Sequence, residues 1–353
     1  MTHSAHLILT VDYEIFGNGS GEVECCVLEP ARKMMNIAEQ FNAPVTFFVE
    51  VLEFIALEQE PETRAGGEQI RLQLLDAIER QHDAQLHLHP QWQDAEFRKT
   101  DGWKLDMFRW RIGDLNSNEI DSLFRLGKQW LEELVHSVNK DYNCHTFRAG
   151  GWCIQPSEKV LQAMMANDFK IDSTVAPGIR NSTPGQWSDF RTTPDKPFWR
   201  AEKNVCKSSE TGTWELPILT GKIGRLRHFQ AIKAVRSQLN GGMASGCYGS
   251  YQRPDGQLQA VKDKLQKLLR LGQVMLDFST MPADILIEIS QQWLEKNQHF
   301  NLPIPLVAIA HTKNFTSASE QSLQAYLRWA ESKNIQFSTY GNWLEASSLQ
   351  GRD

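Results

Sequence analysis

Apolar runs of strand length recur along the chain, and the stretches between them place their hydrophobic residues three and four apart. "HLILTVD" near residue 6, "PVTFFVE" near 45, "AQLHLH" near 85, "HTFR" near 146 and "FKIDS" near 170 read as strands, as do "WELPI" near 215, "VMLDF" near 275, "LVAIAH" near 307 and "IQFSTY" near 336. Most are continuous in Val, Ile, Leu and Phe rather than alternating, as expected of strands covered on both faces. Between the first two, Ala31, Met34, Met35, Ala38 and Phe41 form one helical stripe that faces a core. Similar helical patterns occupy about 68–82, 118–138, 156–167, 257–271, 284–298 and 318–333. Strand and helix alternating in this way, without an internal repeat or low-complexity linker, predict a parallel β/α barrel in one domain over 1–353 rather than two unrelated domains. Three connections, at about 91–116, 176–213 and 240–256, are long and are expected as insertions.

Composition narrows the partners. A chain of 353 residues, 41% hydrophobic and 23% charged, with a formal charge of -6, offers no basic field for nucleic acid or an anionic membrane. No apolar run approaches the ~20 residues that span a bilayer. The opening "MTHSAHLILTVDYEIF" lacks the basic region, apolar stretch and cleavage site of a signal peptide, so a cytoplasmic protein is expected. Six cysteines without a C-x-x-C pair suit neither a disulfide scaffold nor a thiolate zinc site, and reduced thiols are expected.

In a parallel barrel the active site lies at the carboxyl ends of the strands, so a polar residue that finishes an apolar run carries information. Asp12 and Glu14 close the first run, His87 and His89 the third, Arg148 the fourth, Asp172 the fifth and His311 the eighth. Residues two apart on a strand share a face, so Asp12 with Glu14, and His87 with His89, each present two groups to one space. Two imidazoles with one or two carboxylates suit Zn, Fe, Co or Ni. Taken singly, each residue has a bland reading: a carboxylate at a strand end caps a helix, a lone histidine is a satisfied core group, and an arginine before two glycines fixes a turn. A buried Arg148 needs a carboxylate partner, which Asp12 or Asp172 can supply.

Order and placement together resemble a known family. "LTVDYE", "PVTFFV", "RQHDAQLHLHPQW", "FRAGGW", "IAHTKNF" and "QFSTYGNWLE" are similar, in that succession over about residues 6–345, to the motifs of the polysaccharide deacetylases, the NodB-homology carbohydrate esterase superfamily. The resemblance implies an α/β fold, a distorted (β/α)7 TIM-like barrel, and a hydrolase that removes N- or O-acetyl groups from carbohydrate chains with a divalent metal, most simply Zn, with Co, Ni or Fe possible. It carries the catalytic base onto Asp12, the arginine that holds the base onto Arg148, and the general acid onto His311. It also sets Gly151 or Trp152 as the backbone donor to the oxyanion. Tyr13 stands where the family's T-F-D-D motif has a metal-binding aspartate, and Glu14 takes that place as in V-D-x-E variants. Gln91 falls at the second histidine of H-[ST]-x-x-H, which leaves His87 and His89 as the metal imidazoles.

Protonated His311 calls for a nearby carboxylate. Trp92, Phe97, Trp103, Phe108 and Trp110 in the insert after "HLHPQW" either form a hydrophobic cluster under the loop or, with Trp92 foremost, offer faces to sugar rings. Glu215 in "WELPI" is a weaker pocket residue or an ordinary ion-pair partner. Tyr13 and Gln91 leave two alternatives open: a metal-independent C–N hydrolase of a small cyclic amide on the same fold, and a catalytically silent carbohydrate-binding or scaffold protein of polysaccharide assembly. Substrate identity and oligomeric state are not encoded in these motifs.

Overall fold

The computed structural model describes residues 4–183, 185–224, 227 and 272–349. The apolar runs become β1 (Ala5–Tyr13), β2 (Val45–Glu50), β3 (Asp83–Leu88), β4 (Thr146–Ala149), β5 (Ile171–Asp172), β6 (Thr213–Glu215) and β7 (Ile304–His311). They lie side by side in the order β6-β5-β4-β3-β2-β1-β7, all parallel, with Trp199–Ala201 antiparallel on the edge of β6. Two isolated parallel bridges, Ile218 to Val307 and Asp277 to Ile309, bring the chain after β6 and the chain around Asp277 against β7. The sheet therefore curls back toward its first strands, and the architecture is the expected α/β, (β/α)-barrel type. β1 is buried along its whole length, which explains why its sequence does not alternate.

The helices are α1 (Glu29–Glu39), α2 (Val51–Gln59), α3 (Arg64–Glu79), α4 (Ser117–Val135), α5 (Glu158–Ala166), α6 (Ala283–Asn297), α7 (Ser317–Ser332) and α8 (Tyr340–Ala346). Six of them answer the periodic stretches. α2 and α8 were not expected. α2 follows β2 without a loop, buries Val51, Leu52, Phe54 and Leu57, and is capped by Glu50 rather than by Ser, Thr, Asp or Asn, so both its stripe and its start signal are missing from the sequence. The run expected as a strand near 336 is shorter than expected: Gln336–Phe337 alone pairs with β1, and α8 begins at its last residue, Tyr340.

Two of the long connections carry small antiparallel hairpins, Glu96–Arg98 with Gly102–Lys104 and Arg180–Thr183 with Gln186–Asp189. The expected insertion at 240–256 and helix at 257–271 lie outside the described residues. Among the described residues no helix is long and apolar enough to cross a membrane. Cys26, Cys144, Cys153 and Cys206 are buried thiols as expected. Cys25 corrects that expectation: it is only partly buried and is disulfide-bonded.

Candidate active site

Strand register gathers the site. Asp12 pairs with His311 across β1 and β7, Glu50 with His87 across β2 and β3, and His87 with Arg148 across β3 and β4. The carboxyl ends of five strands thus set one belt of polar side chains around the mouth of the sheet. Tyr13, between Asp12 and Glu14, turns the other way: its ring meets Phe47 and Phe54 edge-on and its hydroxyl donates to Gln73 at 2.7 Å. The residue that breaks the family pattern is therefore a core residue under α2.

Arg148 is fully buried and holds Asp12 from inside. Its Nη1 donates to Asp12 Oδ1 at 2.7 Å, Nη2 to Thr10 Oγ1 at 2.9 Å and Nε to the Ser173 carbonyl at 2.9 Å, with the guanidinium 4.0 Å from the Phe48 ring centre. Burial alone raises the Asp12 carboxyl, but Arg148, His87 and His311 outweigh it and hold the group below the usual carboxylate range. Asp12 Oδ2 is left facing His311 Nε2 at 3.4 Å and His87 Nε2 at 4.0 Å. The carboxylate expected beside His311 is thus Asp12 itself. Asp172 was expected as a possible brace for Arg148. It lies instead beside Glu215, a buried carboxyl pair away from the guanidinium contacts, in which burial pushes Asp172 up to about 6 and Glu215 well above its ordinary value.

Beside Asp12, Glu14, His87 and His89 point their donor atoms at one another. His89 Nε2 lies 2.9 Å from Glu14 Oε2 and 3.2 Å from His87 Nε2, and His87 Nε2 lies 3.7 Å from Glu14 Oε2. Donors around a metal with bonds of ~2.1 Å stand about 3.0–3.4 Å apart in octahedral or tetrahedral geometry; two of the three separations lie within 0.1 Å of that range and the third, 3.7 Å, is slightly longer, so the three converge on a space of the size of one ion. His87 Nδ1 donates to the Arg148 carbonyl at 2.8 Å, which fixes its tautomer and leaves Nε2 with a lone pair toward the cluster. Burial drives His87 down to about 4, so it is neutral near pH 7, as a ligand must be. Gln91, at the family's second histidine position, stands behind His89, its amide 2.8 Å from Nδ1 and its Oε1 without a partner. The same amide nitrogen donates to the Gly17 carbonyl at 3.3 Å, so Gln91 holds His89 against the loop after β1.

Two residues in the belt were not singled out from the sequence. Lys313 donates to Glu14 Oε1 at 2.6 Å and to the Ile15 carbonyl at 2.9 Å. Burial raises Glu14, but Lys313, His89 and His87 outweigh it and hold the carboxyl well below its usual range. Glu50, which ends β2, belongs to a buried group with Glu14, His87 and His89 whose donor atoms all lie within 4.8 Å of one another. Glu50 carried a signal, since it ends an apolar run just as Asp12 does, whereas Lys313 lies in the turn after β7, beyond the reach of strand alternation.

Gly150 lets β4 pass the imidazoles, since a Cβ there would lie 2.4 Å from the His89 ring. Gly151 and Trp152 follow with φ of 56° and 59°, a left-handed pair that costs strain at the tryptophan. The Trp152 indole meets His311 edge-on at 6.1 Å. Trp92 is 2% exposed and packs edge-on against Trp103. It lines a groove of about 600 Å³ with Leu52, Ile55, Phe97 and Leu123, set apart from Asp12 and His311. From that insert it is Trp110 that reaches the belt, its ring 5.1 Å from His89.

A curled parallel sheet with its polar belt at the strand ends is a fold of the (β/α)-barrel type. Solved structures bear this out over nearly the whole chain. The chain is similar to Puue allantoinase at 9% identity with a TM-score of 0.52, covering 99% of this chain and 92% of that one. It is also similar to a probable polysaccharide deacetylase from Pseudomonas aeruginosa PAO1 at 11% identity with a TM-score of 0.50, covering 99% of this chain and 93% of that one. At such identities the likeness is one of fold. No family model and no curated protein matches the sequence.

Proposed function

We propose that this protein is a metal-dependent hydrolase that removes an acetyl group from an N- or O-acetylated carbohydrate. The observation that carries the reading is the juxtaposition of a clamped carboxylate, a facing imidazole and a three-donor cluster that fits one divalent ion. Glu14, His87 and His89 would hold the metal, zinc or another borderline ion. A metal there supplies Lewis-acid polarisation of the acetyl carbonyl and acidifies water.

The protein's own groups do the rest. Asp12, held as a carboxylate with Oδ1 on Arg148, keeps Oδ2 toward the pocket and takes the proton of the attacking water. His311, 3.4 Å from that oxygen, sits where it can pass a proton to the departing nitrogen or oxygen. The left-handed Gly151-Trp152 turn is positioned to aim a backbone N–H at the developing oxyanion.

The test is acetate release from a panel of N- and O-acetylated sugars, run with chelator-stripped and metal-restored protein. Activity is expected with metal and not without it. One observation favours a second reading: Lys313 already places a cation on Glu14, so the carboxylate has a counter-charge without any metal. Metal-independent turnover of a cyclic amide, with no acetate from any sugar, overturns the first reading in favour of the second.

A further inference from the structure

The residue at the end of β2 is more than a helix cap. Glu50 is 0% exposed, and its Oε1 accepts the backbone N–H groups of Leu52 at 3.1 Å and Glu53 at 3.4 Å, which closes the first turn of α2. Its second oxygen, Oε2, is buried with no hydrogen-bond partner. A buried carboxylate oxygen without a partner costs on the order of 1–3 kcal/mol or more, and Asn, Ser or Thr would cap α2 without that cost. The carboxylate is therefore poorly explained by the cap alone.

Position supplies the missing reason. β2 and β3 pair Glu50 with His87, and the donor atoms of Glu50, Glu14, His87 and His89 lie within 4.8 Å of one another, all four residues buried. We propose that Glu50 is the fourth protein ligand of the metal, so that two glutamates and two histidines hold the ion. The inference rests on the metal reading of the site and deepens it. Gln91, in the place of a histidine in the resemblance, no longer has to supply a ligand, because β2 supplies one beside His87. The backbone bonds to Oε1 fix the carboxylate in place before metal arrives, as partners behind a ligand do.

The experiment compares Zn2+ affinity of the chelator-stripped wild-type protein and Glu50→Gln, by competition with a chromophoric chelator, alongside the thermal midpoint of each protein without metal. Gln keeps the capping oxygen and removes the ligand charge. Loss of a group merely behind a ligand costs ~10–100-fold in affinity, so a direct ligand predicts a loss of about 100-fold or more, with the metal-free midpoint close to wild type. A Gln variant that binds Zn2+ as tightly as wild type overturns the ligand role of Glu50 and leaves the metal reading standing. Wild-type protein that binds no Zn2+ overturns both. Should the Gln variant not fold, Glu50→Asp keeps a cap and withdraws the carboxylate by one methylene. Zn2+ binding weakened by about 100-fold or more in that variant supports the ligand role, and a smaller loss or binding as tight as wild type overturns it.

Discussion

Around Arg148 the buried polar contacts are closed: the guanidinium is bonded by Asp12, Thr10 and Ser173, and Ser173 Oγ is itself bonded by Tyr340 and donates to the Leu216 carbonyl. Around Glu14, His87 and His89, on the same belt, donors face one another, while Glu50 Oε2, Gln91 Oε1 and His311 Nδ1 have no partner. Both regions bury charge, yet the first pairs its groups within the protein and the second leaves several without a protein partner. The closed network fixes a geometry, and the open one is where the proposed metal would sit.

The largest expected effect tests the closed half. Arg148→Met removes the counter-charge of a carboxylate that is 3% exposed, and breaking a buried pair from one side costs about 3–5 kcal/mol. Urea unfolding of the variant is expected to show that loss, and Asp12→Asn added to it is expected to recover part of it. A variant within about 1 kcal/mol of wild type would mean that the network is not what holds Asp12.

That half was largely legible in the sequence. Continuous apolar runs told of a two-sided parallel sheet, and Asp12 and Arg148 each finished one. Register did the rest, which no spacing rule provides: the Asp12–Arg148 pair joins positions 136 residues apart. The open half was read less well because its added members looked ordinary. Glu50 was hidden at the seam between a strand and an unrecognised helix, and Lys313 sat past the histidine that drew attention. Of the two carboxylates offered to Arg148, Asp12 takes the hydrogen bond, and Asp172 has Glu215 directly across from it, because a strand end fixes the level of a side chain whereas its neighbour decides its partner.

The next effect in size separates the halves by pH. Burial lowers both His87, in the belt, and His145, just before β4, to about 4. An unfolded histidine titrates near 6.5. Between those values the unfolded chain binds protons that the native protein refuses, so stability falls as the pH drops from about 6.5 toward 4, by up to roughly 2–3 kcal/mol for each residue. Urea midpoints across that window are expected to flatten by a similar amount in His87→Gln and in His145→Gln. Zn2+ is expected to steepen the acid loss in wild type and in His145→Gln, because protons and metal compete for His87, and not in His87→Gln. An equal effect of Zn2+ in all three proteins would remove His87 from the ligand set.

The smallest effect is the one that best divides the two functional readings. Lys313 is 11% exposed on its side chain, touches Glu14 Oε1 and leaves Oε2 toward the imidazoles. With a metal at those imidazoles, Lys313 is a like charge across one carboxylate, tolerable because Glu14 bridges the two cations and solvent reaches the ammonium. Lys313→Met then takes away repulsion and is expected to tighten Zn2+ about 10-fold at low salt, an effect that shrinks as ionic strength rises. Without a metal, Lys313 is the cation that keeps Glu14 ionised in a buried site, and its removal leaves the carboxylate with the histidines alone. Activity that vanishes in Lys313→Met, with no change in metal affinity and no rescue by added Zn2+, assigns the open cluster to the lysine rather than to an ion. Tighter Zn2+ binding with activity retained assigns it to the ion, and makes Lys313 the group that tempers how strongly the ion is held.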